Sequence, residues 1–222
     1  MNREHIYKRL GYRFRDAALL EQALTHRSAG RGHYERLEFL GDSLLNFVVA
    51  EVLYRRLPDA SEGDLTRMRA ALVREETLGG VANDLALADA VQLGGSALKS
   101  GVYRRRSVLA DTVEALIGAV LLDADLETAR ACIERWWADR LVTLPDPETL
   151  KDPKTRLQEW LQGRSRPRPE YAVLEVSGPP HRQHFRVACQ LADDDAAVEG
   201  TGASRRGAEQ NAARAMLEKL DA

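Results

Sequence analysis

The stretch ERLEFLGDSLLNFVV, residues 35–49, decides how the first part of this chain folds. At about 100° per residue, a helix brings Glu35, Glu38 and Asp42 into an arc of roughly 60°. Apolar residues take the opposite side: Leu37, Leu40, Leu44 and Val48. The pattern predicts an amphipathic helix with three carboxylates on one face, although taken alone such a face is more often only solvated.

A second helix is predicted in SVLADTVEALIGAVLL, residues 107–122. After Val108 it is apolar nearly all the way round except at Asp111, Thr112 and Glu114, which predicts burial of the helix and of its acids. Asp111 and Glu114 are spaced i, i+3 and project side by side. Because burying an unpaired carboxylate costs several kcal/mol, these acids must be protonated, paired with cations or coordinated to a metal.

The residue types on the two helices favour a hard metal ion. No Lys or Arg lies near Asp111 and Glu114 on their own helix, although an arginine from elsewhere in the chain could pair with them. Oxygen ligands without Cys or His favour Mg²⁺ or Mn²⁺ over zinc. Four carboxylates could hold such an ion beside a phosphodiester and support its hydrolysis: Glu38, Asp42, Asp111 and Glu114. Glu62 could add a ligand at a helix start, although an acid there usually serves only the helix dipole.

Proline spacing divides the chain into two predicted domains. From Arg15 to about Leu141, apolar residues recur at helical spacing, which predicts an all-α domain over residues 1–144. Prolines then interrupt any continuous helix and predict a linker over residues 145–152: Pro145, Pro147 and Pro153.

A smaller α+β domain is predicted over residues 153–222. Asp152, as an N-cap followed by proline, opens a helix. Three strand candidates follow, EYAVLEVSG, HFRVACQLA and AAVEGTG, with turn signals at 178–180 and 193–195. A helix over about 204–220 completes an α-β-β-β-α order.

Composition and charge exclude several classes of protein. The chain is 44% hydrophobic and has no apolar run approaching the ~18 residues of a membrane span, so a globular, non-membrane protein is expected. Its start, MNREHIYKRLGYRF, has no apolar export segment, and a cytoplasmic location is therefore expected. The two cysteines, Cys132 and Cys189, are far apart, which argues against a disulfide framework or a thiolate zinc site.

The balance of charge is close to neutral in both predicted domains. Residues 1–150 carry 20 Lys and Arg against 23 Asp and Glu, and residues 151–222 carry 12 against 11. Any binding of nucleic acid must therefore depend on where the charges lie and not on how many there are.

Several motifs together resemble one known family. ERLEFLGDS at 35–43 closely resembles the signature of the ribonuclease III family. It is joined by ALTHRS at 23–28, EGDLTRMRA at 62–70 and LADTVEALIGAVLLD at 109–123. The region after the linker is similar to a double-stranded-RNA-binding domain. The resemblance covers nearly the whole chain and implies an all-α endonuclease domain followed by that α+β domain.

The resemblance also implies roles for particular acids. By position, the metal-binding carboxylates of the family correspond to Glu38, Asp42, Asp111 and Glu114, with Asp42 and Glu114 closest to the chemistry. Glu35 and Glu62 match an outer acidic pair associated with placement of the scissile bond or with a second metal. The implied cofactor is Mg²⁺, for which Mn²⁺ can substitute, and no organic cofactor is expected.

A homodimer is implied as well, because the family cuts opposite strands with two active sites. The products would be 5′-phosphate and 3′-hydroxyl ends, from precursor ribosomal and structured messenger RNAs. Phe39 matches an aromatic residue that packs into the partner, although an ordinary core position is equally compatible with the sequence. At positions 97 and 102, where many bacterial members of the family have Glu and Gly, this chain has Ala97 and Val102. The three arginines at 104–106 are more simply explained as a solvated run than as an RNA contact.

Three sets of residues in the second domain are candidates for holding duplex RNA. The outer face of the first helix carries four hydrogen-bonding side chains that suit the minor groove of duplex RNA: Thr155, Gln158, Glu159 and Gln162. Many exposed helices share this composition without binding RNA. Arg205 and Arg206 follow the cap residue Ser204, where the helix dipole disfavours each cation by about 0.3–1 kcal/mol. Two arginines there suggest a bound phosphate. His181, in a turn, matches a loop that reaches the next minor groove, although a lone turn histidine is more often solvated.

Two other functions remain open from the sequence. A non-catalytic duplex-RNA-binding protein would use the helical domain only for dimerisation, and the six matching acids argue against it. A metal-dependent phosphohydrolase acting on nucleotides would leave the second domain without a role.

Binding that depends on A-form shape predicts selectivity for duplex RNA over duplex DNA, with weak sequence preference and a modest dependence on salt.

Overall fold

The computed structural model describes residues 3–95, 105–144 and 146–220. The chain divides into two compact units, Met1–Pro145 and Asp146–Ala222. Three positions of the arginine-rich loop considered above lie outside the described residues: Ala97, Val102 and Arg104.

The first unit is helical, as the spacing of apolar residues predicts. Its helices are α1 (Arg3–Leu10), α2 (Ala17–Ala23), α3 (Glu35–Arg56), α4 (Glu62–Val73), α5 (Glu75–Asp84), α6 (Arg106–Asp123), α7 (Leu126–Trp136) and α8 (Ala138–Val142). Helix α1 lies upstream of the region in which the periodicity predicts helices. No helix in the described ranges has the length and apolar character needed to cross a bilayer.

The acid-bearing helices α3 and α6 cross at two glycines. A Cβ atom on Gly41 would collide with the carbonyl oxygen of Glu114, and one on Gly118 would collide with that of Leu37. The two backbones are therefore in direct contact, which only glycine permits. Because Gly41 lies between Glu38 and Asp42, the crossing brings the acids of α3 close to those of α6.

Helix α6 forms the centre of the core. Eleven of its residues are buried, from Val108 to Val120, and they pack beside buried side chains of α3 such as Leu45 and Val48. Burial of each such aliphatic side chain contributes about 1.5–3 kcal/mol. The predicted burial of this helix is confirmed, and it places Asp111 and Glu114 at the boundary between the core and the surface.

A loop between α2 and α3 lies against the segment that follows α5. The backbone N–H of Gln92 donates to Leu24 at 2.7 Å, and that of His26 donates to Gln92 at 2.9 Å. The backbone N–H of Tyr34 then donates to Thr25 at 2.9 Å. These bonds hold the loop so that His26 and Tyr34 face the start of α6.

The second unit has the predicted α-β-β-β-α order. Its elements are α9 (Pro147–Leu150), α10 (Pro153–Gln162), β1 (Glu170–Ser177), β2 (His184–Leu191), β3 (Asp194–Gly202) and α11 (Arg205–Leu220). The sheet is antiparallel with strand order β1-β2-β3. Side chains from α10, α11 and the sheet form its core, among them Leu157, Leu161, Cys189 and Met216.

Two details of this unit differ from the sequence prediction. The turn predicted at residues 193–195 is a tight hairpin loop at 192–193, because Asp194 already pairs with Leu191 across the strands. Backbone pairing requires no particular side chain, so a run of aspartates does not prevent it. The linker also contains the short helix α9, since proline is tolerated in a first helical turn.

Candidate metal centre and RNA-binding residues

Three carboxylates from α3 and α6 meet at the surface of the first unit. Glu38, Asp111 and Glu114 each contribute one oxygen atom, and these atoms all lie within 4.8 Å of one another. Each side chain is partly buried. Among the residues that the structure describes, no Lys or Arg forms an ion pair with any of the three. The alternative in which a distant arginine neutralises them is therefore not realised in this part of the chain.

The electrostatics of this cluster fit a divalent cation. Burial, reinforced by the neighbouring acids, raises the pKa of Glu38 to about 7 and that of Glu114 to about 8. Burial also raises the pKa of Asp111, and the hydroxyl of Tyr34 opposes this rise by donating a hydrogen bond. Like charges held this close favour protonation unless a cation offsets them. Three carboxylate oxygens are the donors that Mg²⁺ or Mn²⁺ prefers.

Asp42 lies near the cluster but is not one of its three converging residues. Its side chain is exposed, and its Oδ1 accepts a hydrogen bond from Nδ2 of Asn46 at 2.8 Å. Its charge nevertheless contributes to the raised pKa values of Glu38 and Glu114. Of the four carboxylates predicted to face inward, the structure thus brings three together and leaves the fourth beside them.

The two outer acids lie in different places. Glu35 lines the same cleft as Glu38, with its carboxylate 3.5 Å from Nη1 of Arg27 and 3.6 Å from Nδ1 of His33. Glu62 is exposed at the start of α4 and lines a separate groove. Its Oε1 accepts a hydrogen bond from the hydroxyl of Thr66 at 2.9 Å. Within one chain, therefore, the structure does not bring Glu62 to the carboxylate cluster.

The cleft beside the cluster also contains residues for which the sequence pattern predicts no role. It has a volume of about 560 Å³ and also contains His26, Arg27, Tyr34, Arg105 and Ser107. The hydroxyl of the buried Tyr34 donates to Oδ2 of Asp111 at 3.1 Å. Two features of the sequence could have indicated these residues. His26 and Arg27 belong to the motif ALTHRS, and Tyr34 directly precedes ERLEFLGD.

Phe39 is not a core residue. Its side chain is 76% exposed, so the alternative of an ordinary core position is wrong. Phe39, Leu40 and Leu122 line a groove of about 640 Å³ together with polar residues of α2 and α3. An aromatic side chain exposed to this extent beside other apolar groups is typical of an interaction surface.

The residues of α10 that are predicted to contact RNA differ in their exposure. Glu159 and Gln162 are exposed, whereas Thr155 and Gln158 are partly covered. The carboxylate of Glu159 already pairs with Nζ of Lys151 at 2.6 Å, which lowers its capacity to repel a phosphate. His181 is exposed in the turn between β1 and β2.

The start of α11 has the predicted cap, and one of its two arginines pairs with an acid of the same helix. The hydroxyl oxygen of Ser204 accepts from the backbone N–H of Gly207 at 3.1 Å. Nε of Arg205 pairs with Glu209 at 2.9 Å, so its charge is partly balanced within the helix. Arg206 is exposed. The argument from the helix dipole for a bound phosphate therefore applies mainly to Arg206.

Comparison with known proteins agrees with both units. The family model described as Ribonuclease-III-like matches residues 16–141, and the model of the double-stranded RNA binding motif matches residues 153–220. Ribonuclease 3 of Vibrio cholerae is 54% identical over 212 residues, which cover 96% of this chain and 94% of that protein. Ribonuclease 3 of Alkalilimnicola ehrlichii is 54% identical over 219 residues, covering 99% of this chain and 96% of that protein.

A solved structure shows the same helical arrangement. The nuclease domain of ribonuclease III from Campylobacter jejuni is 38% identical and superposes with a TM-score of 0.62, covering 64% of this chain and 100% of that domain. Its helices correspond to the unit that contains the carboxylate cluster.

Proposed function

Because the chain belongs to the ribonuclease III family of double-stranded-RNA endoribonucleases, we propose that Glu38, Asp111 and Glu114 hold a catalytic Mg²⁺ ion. The observation that carries this proposal is the convergence of their oxygen atoms within 4.8 Å. Asp42, beside the cluster, is the fourth acid of the set, and Mn²⁺ can replace Mg²⁺ because both accept oxygen ligands. When bound, the metal lowers the pKa of a coordinated water and offsets the charge that develops on the scissile phosphate.

The reaction is hydrolysis of phosphodiester bonds in duplex RNA, which leaves 5′-phosphate and 3′-hydroxyl ends. The acids of this chain present the negative oxygens that the cation requires, and Asp42 and Glu114 lie closest to the chemistry. Glu35 lines the cleft and places the strand beside the scissile bond. We assign Glu62 to the same outer set.

We infer that the protein acts as a homodimer. Large apolar side chains are exposed on α3 and at the end of α6: Phe39, Phe47, Tyr54 and Leu122. The Campylobacter jejuni nuclease domain is itself described as having a region involved in dimer formation. Since Glu62 is remote from the cluster within one chain, a role for it in cleavage depends on a second copy.

The second unit is proposed to hold the duplex by its shape. Its family model is that of a double-stranded RNA binding motif, and three sets of residues form the proposed contact: the outer face of α10 (Thr155, Gln158, Glu159 and Gln162), His181, and the start of α11 (Ser204, Arg205 and Arg206). The substrates we propose are precursor ribosomal RNA and structured messenger RNA. We further propose that the protein acts in the cytoplasm.

A cleavage assay with matched variants tests the metal proposal. Long duplex RNA, single-stranded RNA, duplex DNA and nucleoside triphosphates are incubated with Mg²⁺ or with EDTA. We expect cutting of duplex RNA alone, abolished by EDTA and by Glu114→Gln, with RNA binding retained by the variant. Glu134→Gln is the control, because Glu134 is an exposed glutamate on α7. Cutting that persists in EDTA, or near-normal cutting by Glu114→Gln, would contradict the proposal.

A further inference from the structure

The cleft beside the carboxylates contains donors and cations that metal binding does not use. His26, Arg27 and Arg105 all line it. Its volume of about 560 Å³ is many times the roughly 30 Å³ that one water occupies in the liquid. A phosphodiester group therefore fits in the cleft in addition to a hydrated cation.

His26 is fixed as a neutral hydrogen-bond donor in this cleft. Its side chain is 9% exposed, and its Nδ1 accepts from the backbone N–H of Ser28 at 3.1 Å. That nitrogen carries no proton, so the proton of the neutral ring is on Nε2. Burial and the adjacent Arg27 also lower the pKa of His26. In the part of the chain that the structure describes, no group bonds to Nε2.

Arg27 supplies a cation that is loosely held. Its Nη1 lies 3.5 Å from the carboxylate of Glu35, and its side chain is 72% exposed. This distance is longer than a strong charge-assisted hydrogen bond, which is about 2.7–2.9 Å. The charge of Arg27 still reaches the cluster, because it acts to lower the pKa values of Glu38 and Asp111.

The acids that bind the metal also repel the RNA backbone. Every phosphate next to the scissile one carries a negative charge and must approach the same carboxylates. A cation and a fixed N–H donor in the same cleft offset this repulsion.

We propose that Arg27 and His26 form a subsite for the RNA phosphate adjacent to the scissile bond. The inference rests on the proposed function, since the carboxylate cluster places the scissile phosphate itself. Arg27 exchanges its loose contact with Glu35 for one phosphate oxygen, and the Nε2–H of His26 donates to another. The subsite fixes the register of the strand in the cleft.

Two variants test the subsite in single-turnover cleavage of a synthetic RNA hairpin with one cut site. For Arg27→Gln, we expect the RNA concentration at half-maximal rate to rise about tenfold, the effect of losing a charge-assisted hydrogen bond, with little change in the maximal rate. His26→Asn keeps an acceptor for the Ser28 amide but shortens the side chain, and we expect a similar rise. Arg31→Gln is the matched control, because Arg31 is exposed in the same loop and does not line the cleft.

Uncharged methylphosphonate linkages identify the phosphate. They replace, one at a time, the linkage on each side of the scissile bond. If the subsite exists, one replacement removes the effect of Arg27→Gln, because the two changes then delete the same contact. An effect of Arg27→Gln that is equal on every substrate, or no effect at all, overturns the subsite.

A metal-binding measurement separates this inference from the proposed function. Mn²⁺ binding to the full chain, followed by electron paramagnetic resonance, should be unchanged in Arg27→Gln and lost in Glu114→Gln. Loss of Mn²⁺ binding in Arg27→Gln would show that Arg27 supports the carboxylates and not a phosphate. Failure of the unsubstituted protein to bind Mn²⁺ would refute the metal centre itself.

Discussion

At the scale of single residues, Tyr34 has the most specific contact in the site. Its side chain is 2% exposed, and its hydroxyl makes the only hydrogen bond that any described residue donates to the three clustered carboxylates. A donor of this kind fixes the orientation of a ligand carboxylate and leaves its other oxygen for the cation. We therefore regard Tyr34 as a positioning residue for Asp111.

Tyr34→Phe removes this hydroxyl and leaves the ring in place. We expect the affinity for Mn²⁺ to fall about 10- to 100-fold, the usual effect of removing such a partner, with duplex-RNA binding unchanged. Isothermal titration calorimetry measures the metal affinity, and high Mn²⁺ should restore cleavage. Tyr7→Phe is the control, since Tyr7 lies in α1 and does not line the cleft. Unchanged metal affinity in Tyr34→Phe would show that the hydroxyl serves only the packing of the loop.

The buried acids should make the metal-free protein sensitive to alkaline pH. The pKa values of Glu38 and Glu114 rise from an ordinary 4.5 to about 7 and about 8 in the folded chain. A carboxyl group with a raised folded pKa destabilises the fold only when it must ionise. The free energy of unfolding is therefore highest below the unfolded pKa, where both groups are protonated. It falls as the pH rises through the folded pKa values, because the buried carboxyl groups must then ionise.

In EDTA, the melting temperature should accordingly fall between about pH 5 and about pH 9. Circular dichroism follows the melting, and Glu114→Gln should flatten the profile because it removes one ionisation at nearly constant shape. Addition of Mg²⁺ should restore stability at the alkaline end, since binding to the folded state alone stabilises it. A melting temperature that is constant or rises over this range would contradict the raised pKa values.

At the scale of elements, the crossing of α3 and α6 determines where the acids meet. Gly118→Ala would place a methyl group against the carbonyl oxygen of Leu37 and force the helices apart. We expect the free energy of unfolding to fall by about 1–3 kcal/mol, the usual cost of overpacking, and Mn²⁺ affinity to fall with it. Denaturant titration measures the first effect and calorimetry the second.

Gly63→Ala in α4 is the matched control for this change. A Cβ atom there would meet only the flexible end of Arg67, at 3.3 Å. Because alanine favours a helix over glycine by up to about 1 kcal/mol, this variant should be as stable as the unsubstituted chain or more so. If Gly118→Ala is as stable as this control, the backbones of α3 and α6 are not in direct contact.

The same crossing shows how far the sequence could predict the site. Helical periodicity places Glu38 on one face of α3 and Asp111 and Glu114 together on α6, because these positions depend only on local spacing. It does not indicate where two helices cross, and that point decides that Asp42 lies beside the cluster and not within it. Tyr34 reaches the site through a loop held by Gln92, a contact between distant residues that no local pattern encodes.

Of two further differences between the predicted and the observed structure, one could have been predicted from local spacing and the other could not. The pairing of Arg205 with Glu209 is an ordinary i, i+4 interaction on a helix, and it reduces the need for an anion at the start of α11. The exposure of Phe39 was not predictable in this way, since an apolar residue next to a polar face is compatible with the core or with a partner.

At the scale of the whole molecule, two features of a single chain fit the proposed homodimer. Phe39 exposes an aromatic side chain to 76%, and Glu62 lies in a groove separate from the cluster although it matches the outer acidic pair. The proposed homodimer would account for both if α3 packed against a second copy and the Glu62 of each copy served the cluster of the other. Cleavage would then depend on acids from two chains.

Mixed dimers with separate affinity tags distinguish this arrangement from action within one chain. Glu62→Gln paired with Glu114→Gln leaves one complete site if Glu62 acts across the dimer, so this mixed dimer should nick one strand while each variant alone is inactive. Placing both substitutions in one subunit opposite an unsubstituted one should then abolish cutting, because neither cluster has both acids. If Glu62 acts within its own chain, the results of the two pairings are reversed, since only the unsubstituted subunit of the second pairing keeps a complete site.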